Sequence, residues 1–232
     1  MPTQPKPHIT AWSYSRYRDY DKCPFYARCK HVDKLREPGS PAMDRGSRID
    51  NLAALYTNGK IRKLPAELQN FKKEFKVLKA VAAVTQQQWA LTRAWTPTEW
   101  FASNAWLRSK TDVYVELKGG SIKIIDHKTG KIRETEPYHL QLNLYATVAL
   151  AKFPAAKSVH TELWFLDQGK IIGGEAGGGV KGIFQRTDFE GLKKTWELRT
   201  RAMLTDTRFA PRPGDYCRWC HFRKANGGPC KY

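Results

Sequence analysis

The sequence predicts an α/β fold in which helices pack against a sheet. The first indication is a β-hairpin, because residues 111–117 alternate between apolar and polar side chains and residues 122–125 form a β-branched run. Gly119-Gly120 joins the two runs and is typical of a tight hairpin turn. The second indication is a helix over residues 138–152 that follows a proline, the residue often found where helices begin. Strands interleaved with helices are typical of α/β proteins.

The remaining elements follow from apolar periodicity and from breaks at glycine and proline. These patterns predict helices that begin after Ser13 and after Asp188, and helices over residues 43–58 and 65–85. They also predict shorter strands over residues 88–94, 161–165 and 180–186.

The composition favours a globular protein that binds a polyanion. The chain has 232 residues, 41% of them hydrophobic, which suits one sizeable domain. It has 40 Lys and Arg against 22 Asp and Glu, a net charge of +18, and nucleic acid is the commonest partner of such a charge. No apolar run approaches the length of a membrane span, and the N-terminal stretch lacks the apolar core of a signal peptide. We therefore expect an intracellular, cytoplasmic protein with no membrane partner.

Asp126 and Lys128 stand two residues apart at the end of the second hairpin strand. Side chains two apart on a strand point to the same face, so this carboxylate and this ammonium share one site. A carboxylate can bind a divalent metal ion, while a lysine can orient or deprotonate a water and offset phosphate charge. Asp112 belongs to the other strand of the same hairpin. A surface ion pair is the alternative interpretation of Asp126 and Lys128 taken alone.

An aromatic-rich segment precedes the hairpin and contains Trp95, Trp100, Phe101 and Trp106. Such residues usually belong to the core of a domain. The alternative is that they stack on unpaired bases, which present an aromatic face to any suitable ring.

The five cysteines require an explanation other than disulfides, which are rare in a reducing compartment. Cys217 and Cys220 have the two-residue spacing that lets both thiolates reach one metal, and Cys230 lies further along. Three cysteines cannot complete a four-thiolate site. The candidates for the fourth ligand are Cys23, Cys29 or, in a zinc site, His221.

Taken in order, these features resemble the RecB-like nucleases of the PD-(D/E)XK superfamily. The similarity is greatest to the group with an iron–sulfur cluster, which includes CRISPR-adaptation nucleases and small phage exonucleases. It extends from Trp12 to Cys230, and the order of the motifs is more specific than any one of them. The motifs are Ser13-x-Ser15 followed by Cys23-Pro24, then Arg45-Gly46-Ser47-Arg48-Ile49, Asp112, residues 124–130, Gln141-x-x-x-Tyr145, and the three C-terminal cysteines.

The resemblance implies a single nuclease domain over residues 1–232 with a restriction-endonuclease-like core, a mixed sheet flanked by helices. Within it, residues 11–36 and 206–232 would form a metal-cluster subdomain that staples the two ends of the chain. The implied ligands of a [4Fe–4S] cluster are Cys23, Cys217, Cys220 and Cys230. The setting would be a bacterial cell or its phage.

The resemblance also implies the active site of a metal-dependent DNA nuclease, most simply an exonuclease. Mg²⁺ or Mn²⁺ would be bound by Asp50, Asp112, Asp126 and the main-chain carbonyl of His127. The implied catalytic residues are Asp112, Asp126, Lys128, Gln141 and Tyr145. Lys128 would orient the attacking water or take its proton, and Gln141 and Tyr145 would steady the DNA or the metal site. The expected partners are DNA, single-stranded or with ends, and a recombination protein.

One residue departs from the pattern. The family usually has histidine where this chain has Asp50, and aspartate is a good ligand for a hard cation but is shorter and charged. The alternative function is therefore a catalytically weakened, DNA-binding recombination-accessory protein that kept the fold but not full activity. A zinc-binding transcription factor is disfavoured, because the sequence shows no helix-turn-helix or zinc-finger spacing.

Overall fold

The computed structural model describes residues 8–133, 137–175 and 177–232 and shows a mixed α/β fold. The α-helices in these ranges are α1 (Tyr14–Lys22), α2 (Pro24–His31), α3 (Pro41–Thr57), α4 (Lys72–Ala80), α5 (Tyr138–Lys152) and α6 (Phe189–Thr205). The strands are β1 (Val84–Leu91), β2 (Pro97–Thr98), β3 (Leu107–Leu117), β4 (Ser121–Lys128), β5 (Ser158–Phe165), β6 (Lys170–Gly173) and β7 (Ile183–Gln185).

All of these strands belong to one mixed sheet. Its order is β2-β1-β3-β4-β5-β6, and β7 also pairs with β5. Strands β4 and β5 are parallel and are connected through α5, whereas the other neighbours are antiparallel. A parallel pair needs a long crossover connection, which explains why a helix lies between β4 and β5 in the chain.

The β3–β4 hairpin forms where the sequence predicts it. The two turn glycines have φ angles of +85° and +84°, a conformation that glycine adopts without steric cost. Pairing between the strands ends with Val113 opposite Ile125. Asp112 and Asp126 are the next residues on each strand, so the two carboxylates lie where β3 and β4 separate.

Helices cover both faces of the sheet. On one face, Ile49 of α3 and Phe75 of α4 pack with Ile125 of β4 in a buried apolar core. On the other face, α5 is buried along most of its length and contacts β5. Consecutive side chains on a strand point to opposite faces, so Ile125 enters the apolar core while Asp126 faces α5.

Two predicted elements differ from the structure, and two short strands were not predicted. The helix expected over residues 65–85 is a 3₁₀-helix, Ala66–Phe71, followed by the shorter α4. Ala82 has a φ of +51°, which an α-helix cannot contain. The strand expected over residues 88–94 is β1, which starts and ends earlier. Strands β2 and β6 were not predicted, because two to four residues are too short for a recognisable alternation.

The chain divides into two compact units. One combines the residues up to Gly39 with Lys194–Tyr232, and the other is Ser40–Lys193, which contains the whole sheet. In the first unit, Trp12 is fully buried and stacks on Trp196 with ring centroids 5.5 Å apart. Tyr17 meets the same indole edge-on at 5.4 Å. The metal-cluster subdomain that the sequence analysis expects over residues 11–36 and 206–232 stays a prediction.

Among the helices of the described residues, none is both long and apolar enough to cross a membrane.

Candidate functional site

Asp126 is held by side chains from α5. Its Oδ1 accepts hydrogen bonds from the Tyr145 hydroxyl and from Gln141 Nε2, the latter at 3.3 Å. Gln141 Nε2 also lies 3.1 Å from the Tyr145 oxygen, since residues four apart share one face of a helix. Burial and the charge of Asp126 raise the pKa of Tyr145 well above its usual value, so the hydroxyl stays protonated and keeps donating. The two α5 residues thus fix the orientation of Asp126.

Lys128 occupies the same strand face as Asp126, as the alternation predicts. Its Nζ lies 2.7 Å from Asp126 Oδ2, although the approach is outside hydrogen-bond geometry, so the contact is an ion pair. The Lys128 side chain is 29% exposed. The Lys128 ammonium is therefore held beside the Asp126 carboxylate, while part of the lysine side chain remains open to solvent.

Asp112 is partly buried beside the other acids. Its Oδ2 accepts the backbone N–H of His127 at 2.7 Å, which fixes the carboxylate at the point where the two strands separate. Burial, followed by the negative charge of Asp126, raises the pKa of Asp112 to about 7. The folded protein therefore pays a free-energy cost to ionise this carboxyl at neutral pH.

Asp50 and the His127 ring complete a group of possible metal ligands with Asp112. One ligand atom from each lies within 4.8 Å of the others. Asp50 Oδ1 is 3.4 Å from His127 Nδ1. Burial opposes ionisation of Asp50, but the His127 contacts and Lys110 outweigh it and lower the pKa of Asp50. The sequence predicts a role for the His127 carbonyl, and the structure brings its imidazole to the site as well.

Asp50, Asp112 and His127 open onto a surface pocket. It is lined by Gly46, Ser47, Ile49, Asp50, Asp112, His127 and Thr129. The Arg-Gly motif of α3 therefore forms one wall of the pocket, and the segment after Lys128 forms another.

Asp167 braces the two walls. It accepts two hydrogen bonds from the Arg45 guanidinium, at 2.7 and 2.9 Å, and one from the backbone N–H of Gly130 at 2.6 Å. A two-pronged arginine–carboxylate pair fixes direction as well as distance. This contact explains the Arg-Gly motif in physical terms, because it ties the start of α3 to the end of β4.

Sequence reasoning missed three contributors to the site: Gln86, Lys110 and Asp167. Gln86 Nε2 donates to Asp50 Oδ2 at 3.1 Å, and Lys110 Nζ lies 3.8 Å from the same oxygen. Lys110 could have been found, since it stands two residues before Asp112 on one strand face. No local pattern in the sequence singles out Gln86 or Asp167.

The donor set fits a divalent cation. Carboxylate oxygens suit Mg²⁺ and Mn²⁺, and an imidazole nitrogen suits the transition metals. Burial and a like charge raise the pKa of Asp112 and so oppose its ionisation, and a bound cation would remove that cost. In the described part of the chain, Asp126 does not belong to the group of ligands within 4.8 Å, because its oxygens face Tyr145, Gln141 and Lys128.

Four of the five cysteines line one cavity in the other unit. Its lining includes Cys23, Cys217, Cys220 and Cys230 but not Cys29. Backbone N–H groups point at two of the sulfurs, Arg212 to Cys23 and Gly214 to Cys217, both at 3.4 Å. Among the described residues, no three cysteine sulfurs lie within 4.8 Å of one another.

We expect Asp112→Asn to stabilise the metal-free protein at pH 8. In the unfolded chain the carboxyl titrates near 4, whereas the folded value is about 7. The stabilising contribution of the protonated Asp112 carboxyl is therefore complete below about pH 4 and is lost as the pH rises through 7. Asparagine is neutral and can still accept the His127 N–H, so the melting temperature in EDTA should rise by roughly 5 °C.

The matched control is Asp50→Asn. The lowered pKa of Asp50 means that its ionised form contributes stability above the unfolded value, so this variant should melt below wild type at pH 8. Equal melting temperatures for wild type and Asp112→Asn between pH 5 and 8 would contradict the expectation.

Comparison with known proteins identifies the family. The profile described as the PD-(D/E)XK nuclease superfamily matches residues 11–225. Among solved structures, a protein of Eubacterium rectale named "putative exonuclease" superposes with a TM-score of 0.53 at 16% identity, covering 93% of this chain and 89% of that one. The structure of SSO0001 gives a TM-score of 0.37 at 14% identity over 92% and 84% of the two chains, too low to support an argument. No protein of curated function matches significantly.

The family match extends over nearly the whole chain, and it includes every acid, amide and lysine that the structure gathers at the end of the hairpin. Members of this superfamily are nucleases that use divalent metal ions and hydrolyse phosphodiester bonds. The chain belongs to the PD-(D/E)XK nuclease superfamily.

Proposed function

We propose that this protein is a Mg²⁺- or Mn²⁺-dependent deoxyribonuclease that degrades DNA from an end. The observation that carries the proposal is the 2.7 Å pair of Lys128 with Asp126, next to the Asp50–Asp112–His127 group. A possible cation site with a partly exposed ammonium beside it suits phosphodiester hydrolysis, because the reaction develops negative charge on the phosphate.

The residues have separate roles in this proposal. Asp112 and Asp50 hold the metal ion, with His127 contributing its carbonyl or its ring. When bound, a divalent ion lowers the pKa of a water and stabilises charge on the phosphate. Lys128 Nζ hydrogen-bonds the attacking water and keeps it aligned with the phosphorus. Tyr145 and Gln141 are positioning residues, since they touch Asp126 and fix its orientation.

DNA as the substrate is supported by charge. Forty Lys and Arg against 22 Asp and Glu favour contacts to phosphates, with an affinity that falls as salt rises. Cleavage from a DNA end is supported by the name of the Eubacterium rectale protein that shares the fold. Circular and end-labelled linear DNA distinguish the two modes, because only an endonuclease converts the circle.

The accessory-protein alternative depends on Asp50. The resemblance puts a histidine at this position, and here the histidine is at 127, with its ring 3.4 Å from Asp50. The site therefore has an imidazole as well as the carboxylate of Asp50. This favours an active site over a disabled one, and a cleavage assay with Mn²⁺ decides between them.

We expect Asp126→Ala and Lys128→Ala each to lower the cleavage rate by at least about a thousandfold, roughly 4 kcal/mol of transition-state stabilisation. Each removes one member of the ion pair beside the Asp50–Asp112–His127 group. DNA binding in EDTA should change little. The measurement is single-turnover cleavage of labelled DNA.

The control is Lys118→Ala, which removes an exposed lysine beside the hairpin turn and should cleave like wild type. Near-normal Mg²⁺-dependent cleavage by either site variant would exclude the pair from the mechanism.

We also propose that Cys23, Cys217, Cys220 and Cys230 bind a [4Fe–4S] cluster. Their shared cavity and the two N–H groups directed at sulfur support this. A single tetrahedral zinc with Zn–S near 2.3 Å would need all of its sulfurs about 3.8 Å apart, whereas no three cysteine sulfurs of the described residues lie within 4.8 Å of one another. A cluster places each thiolate on a different iron, so its ligands stand further apart. The cluster would join segments from both ends of the chain and serve a structural role.

We expect Cys23→Ala to lose the brown colour and most of the iron, and Cys29→Ala to keep both. The reason is that Cys23 lines the cavity and Cys29 does not. Iron, acid-labile sulfide and zinc are measured on anaerobically purified protein. One zinc per chain with no iron or sulfide would rule out the cluster.

A further inference from the structure

Gln86 has an unusual backbone conformation for a strand residue. Its φ is +50°, in the left-handed region that side chains other than Asn and Asp rarely adopt. The other described non-glycine residues with positive φ, Lys34, Ala82, Trp95 and Phe209, lie in turns or loops. Gln86 alone among them is inside a strand. Such strain persists only where the surrounding structure enforces it, and it is concentrated at functional sites.

The strain occurs directly across from the site. Thr85 pairs with Val113 and Gln87 pairs with Thr111, so the register skips Gln86 and Asp112. This local break aims the Gln86 side chain at α3, where Nε2 donates to Asp50 Oδ2 at 3.1 Å. The break in strand pairing and the hydrogen bond to Asp50 therefore occur at the same residue, Gln86.

The hydrogen bond orients Asp50. With Oδ2 held by Gln86, the other oxygen is directed at His127 Nδ1, 3.4 Å away, and at the group shared with Asp112. We propose that Gln86 is a positioning residue for the metal site and acts through Asp50. This rests on the proposed metal-dependent function, but metal binding can be measured without DNA.

The alternative is that the break only adjusts the twist of the sheet. Gln86→Asn separates the two, since asparagine tolerates positive φ and its shorter side chain cannot reach Asp50. We expect this variant to melt at or above the wild-type temperature and to bind Mn²⁺ about 10- to 100-fold more weakly, the usual effect of losing a group that orients a ligand. Calorimetry measures the affinity, and the spectrum of bound Mn²⁺ reports the changed ligand geometry.

Gln88→Asn is the matched control, the same change at an exposed position on the same strand, and should bind Mn²⁺ like wild type. Gln86→Gly also accepts a positive φ and serves as the second variant if Gln86→Asn folds poorly. Wild-type Mn²⁺ affinity in a folded Gln86 variant would overturn the proposal. Wild-type protein that binds Mn²⁺ but does not cleave DNA would instead refute the proposed function.

A different observation concerns the segment from Trp95 to Trp106, which includes β2 and leads to β3. Trp95 and Trp106 are buried and meet edge-on at 5.3 Å, so they are core residues. Phe101 is 86% exposed, more than any other large apolar side chain described. The aromatic segment of the sequence therefore divides into an internal pair and a ring in solvent.

Short polar contacts brace the segment around Phe101. Arg108 Nε donates to the Trp100 carbonyl at 2.8 Å, and its guanidinium lies 5.8 Å from the Trp100 ring. Thr98 Oγ1 donates to Asn104 Oδ1 at 2.9 Å. A braced loop that holds an aromatic ring in water loses little entropy when the ring stacks on a flat partner.

We infer that Phe101 stacks on a base of single-stranded DNA. The net charge of +18 favours this partner over an apolar protein surface. The segment leads directly into β3, which carries Asp112 five residues after its start, roughly 17 Å at strand rise. The inference rests on the proposed DNA substrate, and binding in EDTA tests it apart from cleavage.

The experiment compares an oligothymidylate with an abasic strand of the same length. Phe101→Ala should weaken binding of the first by about 5- to 100-fold and leave the second unchanged, and Phe101→Trp should restore the affinity. Met43→Ala, at another exposed apolar residue of this unit, is the control. Equal losses on both strands, or none, would overturn the inference. A wild-type protein that binds neither strand would refute the DNA substrate itself.

Discussion

The burial of acids where β3 and β4 separate is the constraint on which the rest of the site depends. Asp112, Asp126 and Asp50 converge there, and a carboxylate in a poorly solvated place is costly unless it is paired. The acids differ in how many polar partners each has. Asp126 has an ammonium, a phenol and an amide around it, whereas Asp112 has the backbone N–H of His127 and a pKa raised to about 7. The unbalanced charge is what a cation would neutralise.

The surrounding structure can be understood as support for that arrangement. Helix α5 provides Tyr145 and Gln141 on one face of the sheet, and α3 provides Asp50 on the other. Asp167 then ties the start of α3 to the end of β4 through Arg45 and Gly130. Helix α5 and the Asp167 contacts thus have the same effect, because each helps to fix the orientation of a carboxylate at the site.

The cysteine cavity is lined in large part by a segment with little regular secondary structure. Its lining comes from α2's start and from the irregular C-terminal segment, which has 3₁₀ turns at Asp215–Trp219 and Lys224–Asn226 and no longer element. A segment with so little regular structure needs another source of order. Aromatic contacts such as Tyr26 with Phe222, 5.3 Å apart, supply part of it, and a bound metal group would supply more.

The sequence by itself determined the hairpin, the crossover helix and the placement of Asp126 and Lys128 on one face. Those features depend on turn glycines, on two-residue alternation and on helical periodicity, all of which act between near neighbours. It also brought Gln141 and Tyr145 together, since they are four apart. Only the tertiary structure decided that both contact Asp126, that Asp50 meets the ring of His127, and that Gln86 and Asp167 complete the site. These contacts join residues 15 to 122 positions apart, and no local pattern encodes them, because they form only when the sheet and its two helical layers pack together.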